Sequence, residues 1–317
     1  MKIAIFPCNN GLGHIKRSFE IANKINNKVK VDFFTKDITK NKFKKNKNLS
    51  IKKIKNPKNL NEFKKSTYPK WVKDLDLNKY DFIYSDTLPE LVLKRNRIII
   101  FANFFWDKIF KIKNKIFKKI DKKLILNKIY TNYLFYHKPS MKEKKIIKIG
   151  FFGKFSKKKF LENNNVLISL GTAKLINSKK IVRKIKNIIN KEEDYNFYID
   201  KNYYKFFKNL KNVYAAKHDK KMFEKISIAI IKPGFSIISE CLRNGVPIFC
   251  FDNMQNDEFK YNSKIILKNK LGYKENNLEK LFYKALNTNT KTKKKLFKKY
   301  KLLKWSGEMN ILNEFKK

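Results

Sequence analysis

The sequence predicts an α/β protein of two domains, each a parallel β-sheet wrapped by helices. Three observations carry that expectation. Short apolar runs that read as buried strands alternate with amphipathic stretches at helical spacing. Several runs, YDFIYSD (80–86) and RIIIFAN (97–103) among them, are apolar enough to be buried on both faces, as strands of a parallel sheet are. The alternation starts afresh near residue 150, and 317 residues suffice for two domains of ordinary size.

In chain order, KIAIF (2–6) is a first strand rather than a secretory signal, since its apolar run stops at Pro7 with no small-residue cleavage site after it. The loop Pro7–His14 follows. Ile15, Phe19, Ala22 and Ile25 then recur at helical spacing. VKVDFFT (29–35) alternates as a strand. Residues 36–70 are Lys- and Asn-rich, with a short alternating piece, SIKKI, at 50–54. After the strands at 80–86 and 97–103, KIFKIKNKIFKKI (108–120) reads as one basic amphipathic helix. In the second half, KIIKIGFFGKF (145–155) is a strand running into a glycine connector, and NVLISLG (165–171) is a strand ending in Gly171. INSKKIVRKIKNII (176–189) is an amphipathic helix. YNFYI (195–199), NVYAA (212–216) and ISIAII (226–231) are strands. FSIISECLRN (235–244) is a helix, VPIFCF (246–251) a strand, and helices fill most of the rest. The domains predicted are 1–148 and 149–317, with the last helix allowed to pack back on the first.

Composition narrows the partners. Lys+Arg number 76 against 27 Asp+Glu, a formal charge of +49, and only 5 of the 76 are Arg. Nucleic acid is the obvious partner for such a charge. Yet Lys, Asn, Ile, Phe and Tyr run high together while Gly, Ala, Pro and Arg run low, a restricted alphabet that spreads Lys everywhere. A chain selected for phosphate or base contacts uses more of the bidentate Arg fork. Nucleic acid is therefore the weaker expectation. Hydrophobic residues at 42% exclude global disorder. No apolar run reaches the roughly 18 residues a membrane-crossing helix needs. Cys8, Cys241 and Cys250 form no CxxC pair and read as free thiols packed as small hydrophobes, consistent with a cytoplasmic protein.

With only 9 Gly in the chain, their clusters mark places where the backbone needs them. Gly11 and Gly13 lie between the first strand and its helix, where backbone N–H groups and the helix dipole suit an anion. The turn is not GxGxxG, which disfavours a nicotinamide enzyme. His14 begins that helix at the carboxyl edge of the first strand, placed to take a proton as a neutral ring. Asp86 and Asp107, near neighbouring strand ends, are rival bases. In the second half, Lys232-Pro233-Gly234-Phe235-Ser236 leads from a buried strand into a helix. Gly234 lets a ligand approach, Ser236 can cap the helix or donate to a phosphate, and Glu240, one turn on, can accept from ribose hydroxyls. Asp252 to Glu258 follows another strand, and its amides and carboxylates, Asp257 and Glu258 included, suit sugar hydroxyls. His14, His137 and His218 are too scattered for a metal site, and no HxH, DxD or HExxH spacing argues for one.

GLGHIKR, VLISLGTAK and KPGFSIISECLRNGVPIFCF together resemble GT-B fold glycosyltransferases. The nearest shapes are the lipid-linked N-acetylglucosaminyl transferase of peptidoglycan synthesis and the glycosyltransferase-like domain of L-arabinokinases. YDFIYSDTLPE and FANFFWDKIF are similar to segments of the latter. The resemblance runs from residue 1 to about 275 and implies two Rossmann-like domains facing each other across a cleft. At matching positions it implies that Gly11, Gly13 and His14 face the donor diphosphate and acceptor, and that Gly171 and Thr172 open the second domain's glycine loop. Lys232, Gly234, Phe235, Ser236 and Glu240 form the donor segment, with Asp257 and Glu258 near the donor sugar. Phe235-Ser236-Ile237 departs from a commoner Tyr-Gly-Thr, and Asp252 or Asn253 stands where an Arg is often seen.

The expected activity is transfer of a sugar from a nucleotide-sugar, UDP-linked, to an acceptor hydroxyl, with inversion and without a metal or cofactor. The partners implied are the nucleotide-sugar and a carbohydrate or lipid-linked acceptor, in cell-envelope glycan or glycolipid synthesis. The 108–120 helix adds a possible site for peripheral contact with an anionic membrane. A nucleotide-sugar epimerase or a non-catalytic nucleotide-sugar-binding protein of the same fold is the alternative.

Overall fold

The computed structural model describes residues 1–8, 12–25, 28–35, 48–54, 70–142, 145–157, 160–170, 179–252 and 257–316. The chain divides into two compact units, Met1–Gly153 together with Ser306–Lys317, and Lys154–Trp305.

The first unit holds a seven-stranded sheet in the order β3-β2-β1-β4-β5-β6-β7. Its strands are β1 (Lys2–Pro7), β2 (Lys30–Thr35), β3 (Leu49–Lys53), β4 (Phe82–Asp86), β5 (Ile99–Phe101), β6 (Lys128–Asn132) and β7 (Ile146–Ile149). Every pairing is parallel. Ile3, Ala4, Ile5 and Phe6 are buried on both faces of β1, as a continuous apolar run in a parallel sheet requires. The sheet grows from β1 toward β2 and β3 on one side and toward β4 on the other. The carboxyl ends of β1 and β4 therefore flank the topological switch point, where ligands bind in such sheets.

The second unit repeats the plan with six parallel strands in the order β10-β9-β8-β11-β12-β13. They are β8 (Asn165–Ser169), β9 (Asn196–Asp200), β10 (Val213–Ala216), β11 (Ile228–Ile231), β12 (Ile248–Phe251) and β13 (Gly272–Glu275). Its switch point lies between β8 and β11. Ile185 and Ile189 of the Lys179–Lys191 helix bury on this sheet beside Val166, Ile168, Phe197 and Ile199.

The predicted strands fall where the apolar runs lie, but β6 and β13 are additions. β6 was hidden by the Lys-rich flanks of LNKIYTN, and β13 by Lys274 and Glu275 in a four-residue strand. The 108–120 stretch corrects an expectation, since it is not one helix. Trp106–Ile109 forms one turn, Lys111 takes a left-handed φ of 52°, and a second helix starts at Lys115. The Asn114 side chain accepts from the Phe117 N–H and caps that start. Phe117, Ile120 and Leu124 pack into the first unit's core. The apolar face is thus occupied, and Lys115, Lys118, Lys119 and Lys122 form its exposed side.

The C-terminal segment belongs to the first unit. Glu308, fully buried, pairs with Lys24 and accepts from the Gly153 N–H at 2.7 Å. Glu314 accepts from Tyr130 Oη at 2.7 Å and pairs with Lys128 at 2.9 Å. Gly307 lies so close to Gly150 that a Cβ would sit 2.2 Å from the Gly150 carbonyl oxygen. Backbone on both sides leaves no room to yield. Gly307→Ala is expected to destabilise the first unit by about 1–3 kcal/mol, read as a lower urea midpoint and faster hydrogen exchange at Phe151 and Gly153. An unchanged midpoint would contradict this packing.

Candidate functional site

In the first unit, the Leu12–Lys24 helix follows β1 and carries His14, Arg17 and Ser18 at i, i+3 and i+4, one face of the helix. All three reach Asp86, the last residue of β4 across the switch point. His14 Nδ1 lies 2.8 Å from Asp86 Oδ1. Arg17 donates from Nε to Oδ2 at 2.8 Å and from Nη2 to Oδ1 at 2.7 Å, a bidentate fork. Ser18 Oγ donates to Oδ2 at 3.3 Å and Thr87 Oγ1 to Oδ1 at 2.9 Å. The Arg17 guanidinium lies over the Phe101 ring, 4.7 Å from its centroid.

Asp86 is fully buried. Burial alone would raise its carboxyl, but Arg17 and His14 outweigh it and hold the group well below the usual carboxylate range. The guanidinium is raised in turn, Asp86 outweighing the opposing effect of burial. Thr87, just past the strand, has a φ of 64°, an unfavourable conformation for a β-branched residue that marks a strained turn beside the site.

Two expectations change here. Asp86 is not a rival base: both its oxygens are engaged and none of it reaches the surface, so it orients His14. Asp107 lies apart from this group, buried beside Lys108, with Nζ 3.5 Å away. Burial raises its carboxyl. Glu90 is its electrostatic neighbour, almost wholly buried, and its Oε1 has no hydrogen-bond partner.

Burial, with a smaller push from Asp107, moves Glu90 from an ordinary value of 4.5 up to about 7. A carboxyl raised in the folded state lowers stability only where the unfolded chain would be ionised. The loss begins as pH rises through about 4.5 and is complete above about 7. Glu90→Gln is therefore expected to raise the melting temperature at pH 8 and leave it nearly unchanged at pH 4. The full effect is at most roughly 3 kcal/mol. Equal shifts at both pH values would refute this assignment.

In the second unit, Lys232, Pro233 and Gly234 leave β11 at the switch point and lead into the Phe235–Arg243 helix. Ser236 does not cap this helix, contrary to expectation. The cap position is Gly234, which supplies no side-chain cap, and a helix start of this kind suits an anion. Gly234 has an ordinary φ of −79°, and a Cβ there would find its nearest neighbour, Phe259, 3.9 Å away. The fold itself does not demand glycine at this position. Asn262 donates to the Pro233 carbonyl at 2.9 Å and ties the Asp257–Lys268 helix to the turn. Lys232 Nζ stands 4.2 Å over the Phe259 ring. Burial lowers its amine, with Glu258 and Asp200 pulling the other way. Ser236 and Glu240, four residues apart on one helix face, are both half-buried, and Asp257 is exposed at the start of its helix. The structure thus gathers Lys232, Gly234 and the Glu258-Phe259 pair, and sequence reasoning missed Phe259 and Asn262.

It also missed a network on the same edge. Asp200, ending β9, accepts from Ser169 Oγ at 3.2 Å and pairs with His218 Nε2 at 2.7 Å. His218 has a φ of 52°. Asp252 pairs with Lys274 at 3.0 Å. Gly11, Gly171 and Thr172 lie outside the described residues, as does Asn253. Among the described residues, no group of three or more His, Cys, Asp or Glu is placed to hold a metal, and no helix is long and apolar enough to cross a membrane.

Two parallel α/β sheets with their switch points so equipped define the fold of GT-B glycosyltransferases. Solved structures similar to this chain include SnogD, a glycosyltransferase from Streptomyces nogalater. It is 10% identical at a TM-score of 0.63, over 99% of this chain and 98% of that one. MurG of Acinetobacter baumannii is 13% identical at a TM-score of 0.60, over 99% of both chains. UGT89C1 of Arabidopsis thaliana, solved with UDP-L-rhamnose, is 12% identical at 0.59, over 94% of this chain and 92% of that one. No family model matches the sequence, and no curated protein matches it.

Proposed function

We propose that the protein is a glycosyltransferase that moves a sugar, of the hexosyl type, from a nucleotide-sugar to an acceptor hydroxyl. The observation that carries this reading is His14, oriented by a buried carboxylate at the first sheet's switch point, with no partner on Nε2 among the described residues. In the reaction His14 Nε2 takes the proton of the acceptor hydroxyl as its oxygen bonds to the anomeric carbon. The bond from that carbon to the diphosphate oxygen breaks, and its electron pair leaves with the nucleoside diphosphate. Attack opposite the leaving group inverts the centre. The N–H groups opening the Phe235–Arg243 helix and the Lys232 amine would hold the departing charge. Gly11, Gly13, Gly171, Thr172, Phe235 and Ser236 are the further donor-binding residues that the resemblance implies. Glu240 would hold the ribose, and Asp257 and Glu258 the sugar hydroxyls. No metal or cofactor is needed by this scheme.

A UDP-linked donor is supported by the UDP-L-rhamnose held by a structural neighbour. A carbohydrate or lipid-linked acceptor in the cell envelope fits the likeness to MurG. The exposed lysines of the Lys115–Leu124 helix would allow contact with an anionic membrane surface from the cytoplasm.

The test is a thermal-shift screen of the full chain with UDP, GDP, CMP and ADP sugars. A ligand at 100 times its dissociation constant should stabilise by about 2.7 kcal/mol. Stabilisation by a UDP-sugar, and by UDP alone, is the expected result, and no response to any donor would end the proposal. Gly234→Ala should leave the unliganded melting temperature within about 1 °C, since the methyl meets only ordinary contacts. It should weaken UDP-sugar binding about tenfold by crowding the phosphate, a loss of roughly 1.4 kcal/mol.

A further inference from the structure

We propose that Arg17 is a positioning residue that decides which ring nitrogen of His14 carries the proton; the idea rests on the reading of His14 as the base. Three atoms form a near-equilateral triangle. His14 Nδ1 is 2.8 Å from Asp86 Oδ1 and 3.0 Å from Arg17 Nη2, and Nη2 is 2.7 Å from the same Oδ1.

The two partners make opposite demands on Nδ1. A bond from the guanidinium needs a bare Nδ1, which puts the ring proton on Nε2, and a ring protonated there cannot take one from a hydroxyl. A bond to the carboxylate needs Nδ1–H, which leaves the Nε2 lone pair free. Arg17 settles the choice by where its own hydrogens go. Its planar fork bonds both oxygens of Asp86, and the Phe101 ring lies against its face. Engaged in this way, Asp86 is an acceptor only. A bare Nδ1 at 2.8 Å from Oδ1 would set two lone pairs against each other, so Nδ1 must carry the hydrogen.

A lysine cannot replace this fork. An ammonium is a point charge that reaches one oxygen at a time and is free to turn an N–H toward Nδ1. The Ser18 and Thr87 hydroxyls, the other side-chain donors to Asp86, bond its carboxylate and not the His14 ring.

The experiment is a long-range proton–nitrogen NMR correlation on the ¹⁵N-labelled full chain near neutral pH. The chain has only 3 His, so His137→Gln and His218→Gln assign the His14 signals by elimination. The wild type is expected to show a protonated Nδ1 and a bare Nε2. Arg17→Lys, and Arg17→Gln as a second variant should the first not fold, should gain the Nε2–H form. With a UDP-sugar, Arg17→Lys should lower kcat about tenfold and leave the donor KM unchanged, the pattern of a lost transition-state contribution. An Nε2–H ring in the wild type overturns the proposal, as does an unaltered wild-type pattern in a folded Arg17 variant. The NMR readout needs no turnover, so a failure of the glycosyltransferase reading would leave the tautomer result standing and distinguishable.

Discussion

His14→Ala is expected to lower sugar transfer by about 10²–10⁴-fold, the usual contribution of a positioned general base. Donor binding should stay within a few-fold of wild type, because Lys232, Gly234 and Glu240, assigned to the diphosphate and ribose, lie in the second unit, and Gly11 and Gly13 would act through backbone that the substitution leaves in place. Folding should also survive. The His14 side chain is 16% exposed, and Asp86 keeps both Arg17 bonds, Ser18 and Thr87 when the imidazole goes. Comparing kcat and donor KM separates the outcomes. Turnover within a few-fold of wild type with donor binding intact would remove His14 from the chemistry.

Asp86→Ala should act on stability as well as activity, and there lies the other large effect. The substitution takes the buried carboxylate away from the Arg17 guanidinium, whose side chain is only 10% exposed. Breaking a buried pair from one side costs about 3–5 kcal/mol. Asp86→Asn keeps the shape and two bonds but not the charge, and should fall between. The pH dependence has a definite sign. A carboxyl held below its ordinary 3.8 contributes stability that is complete above that value and lost as pH falls beneath it. The wild type should therefore lose more stability between pH 5 and pH 3 than the Asn variant does. Urea midpoints at those two pH values check both statements, and an Asp86→Ala protein as stable as wild type would contradict the buried ion pair.

Most strands were legible because an unbroken apolar run has few alternatives to burial in a parallel sheet, and β1, β4, β8 and β11 all lie where such runs do. The strands that escaped were short and carried or adjoined lysines, so they did not stand out as apolar runs. The 108–120 helix failed for a local reason. Asn114 interrupts the periodicity, and a capping Asn mid-pattern starts a new helix. At the first site, His14 was legible from its glycine turn. Its partners were not, although the signal was present: His-x-x-Arg-Ser places three donors on one helix face. What it lacked was the acceptor, 72 residues away in sequence, and only the strand order β2-β1-β4 brings Asp86 beside that face. The same holds for Asp200 and His218, which meet because β9 and β10 are adjacent. The turn at Gly234 falls between strand and helix as expected, whereas Ser236 does not cap because the helix begins at Phe235, two residues earlier than a Ser236 cap needs.

The central claim is that the glycine turn after β11 grips a nucleoside diphosphate while the His14 pair serves the acceptor. Calorimetric titration of UDP into the full chain, into Gly234→Ala and into His14→Ala addresses it most directly. The account predicts binding by the wild type, about tenfold weaker binding by Gly234→Ala, and unchanged binding by His14→Ala. No heat from the wild type, or equal affinity in the Gly234 variant, would contradict it.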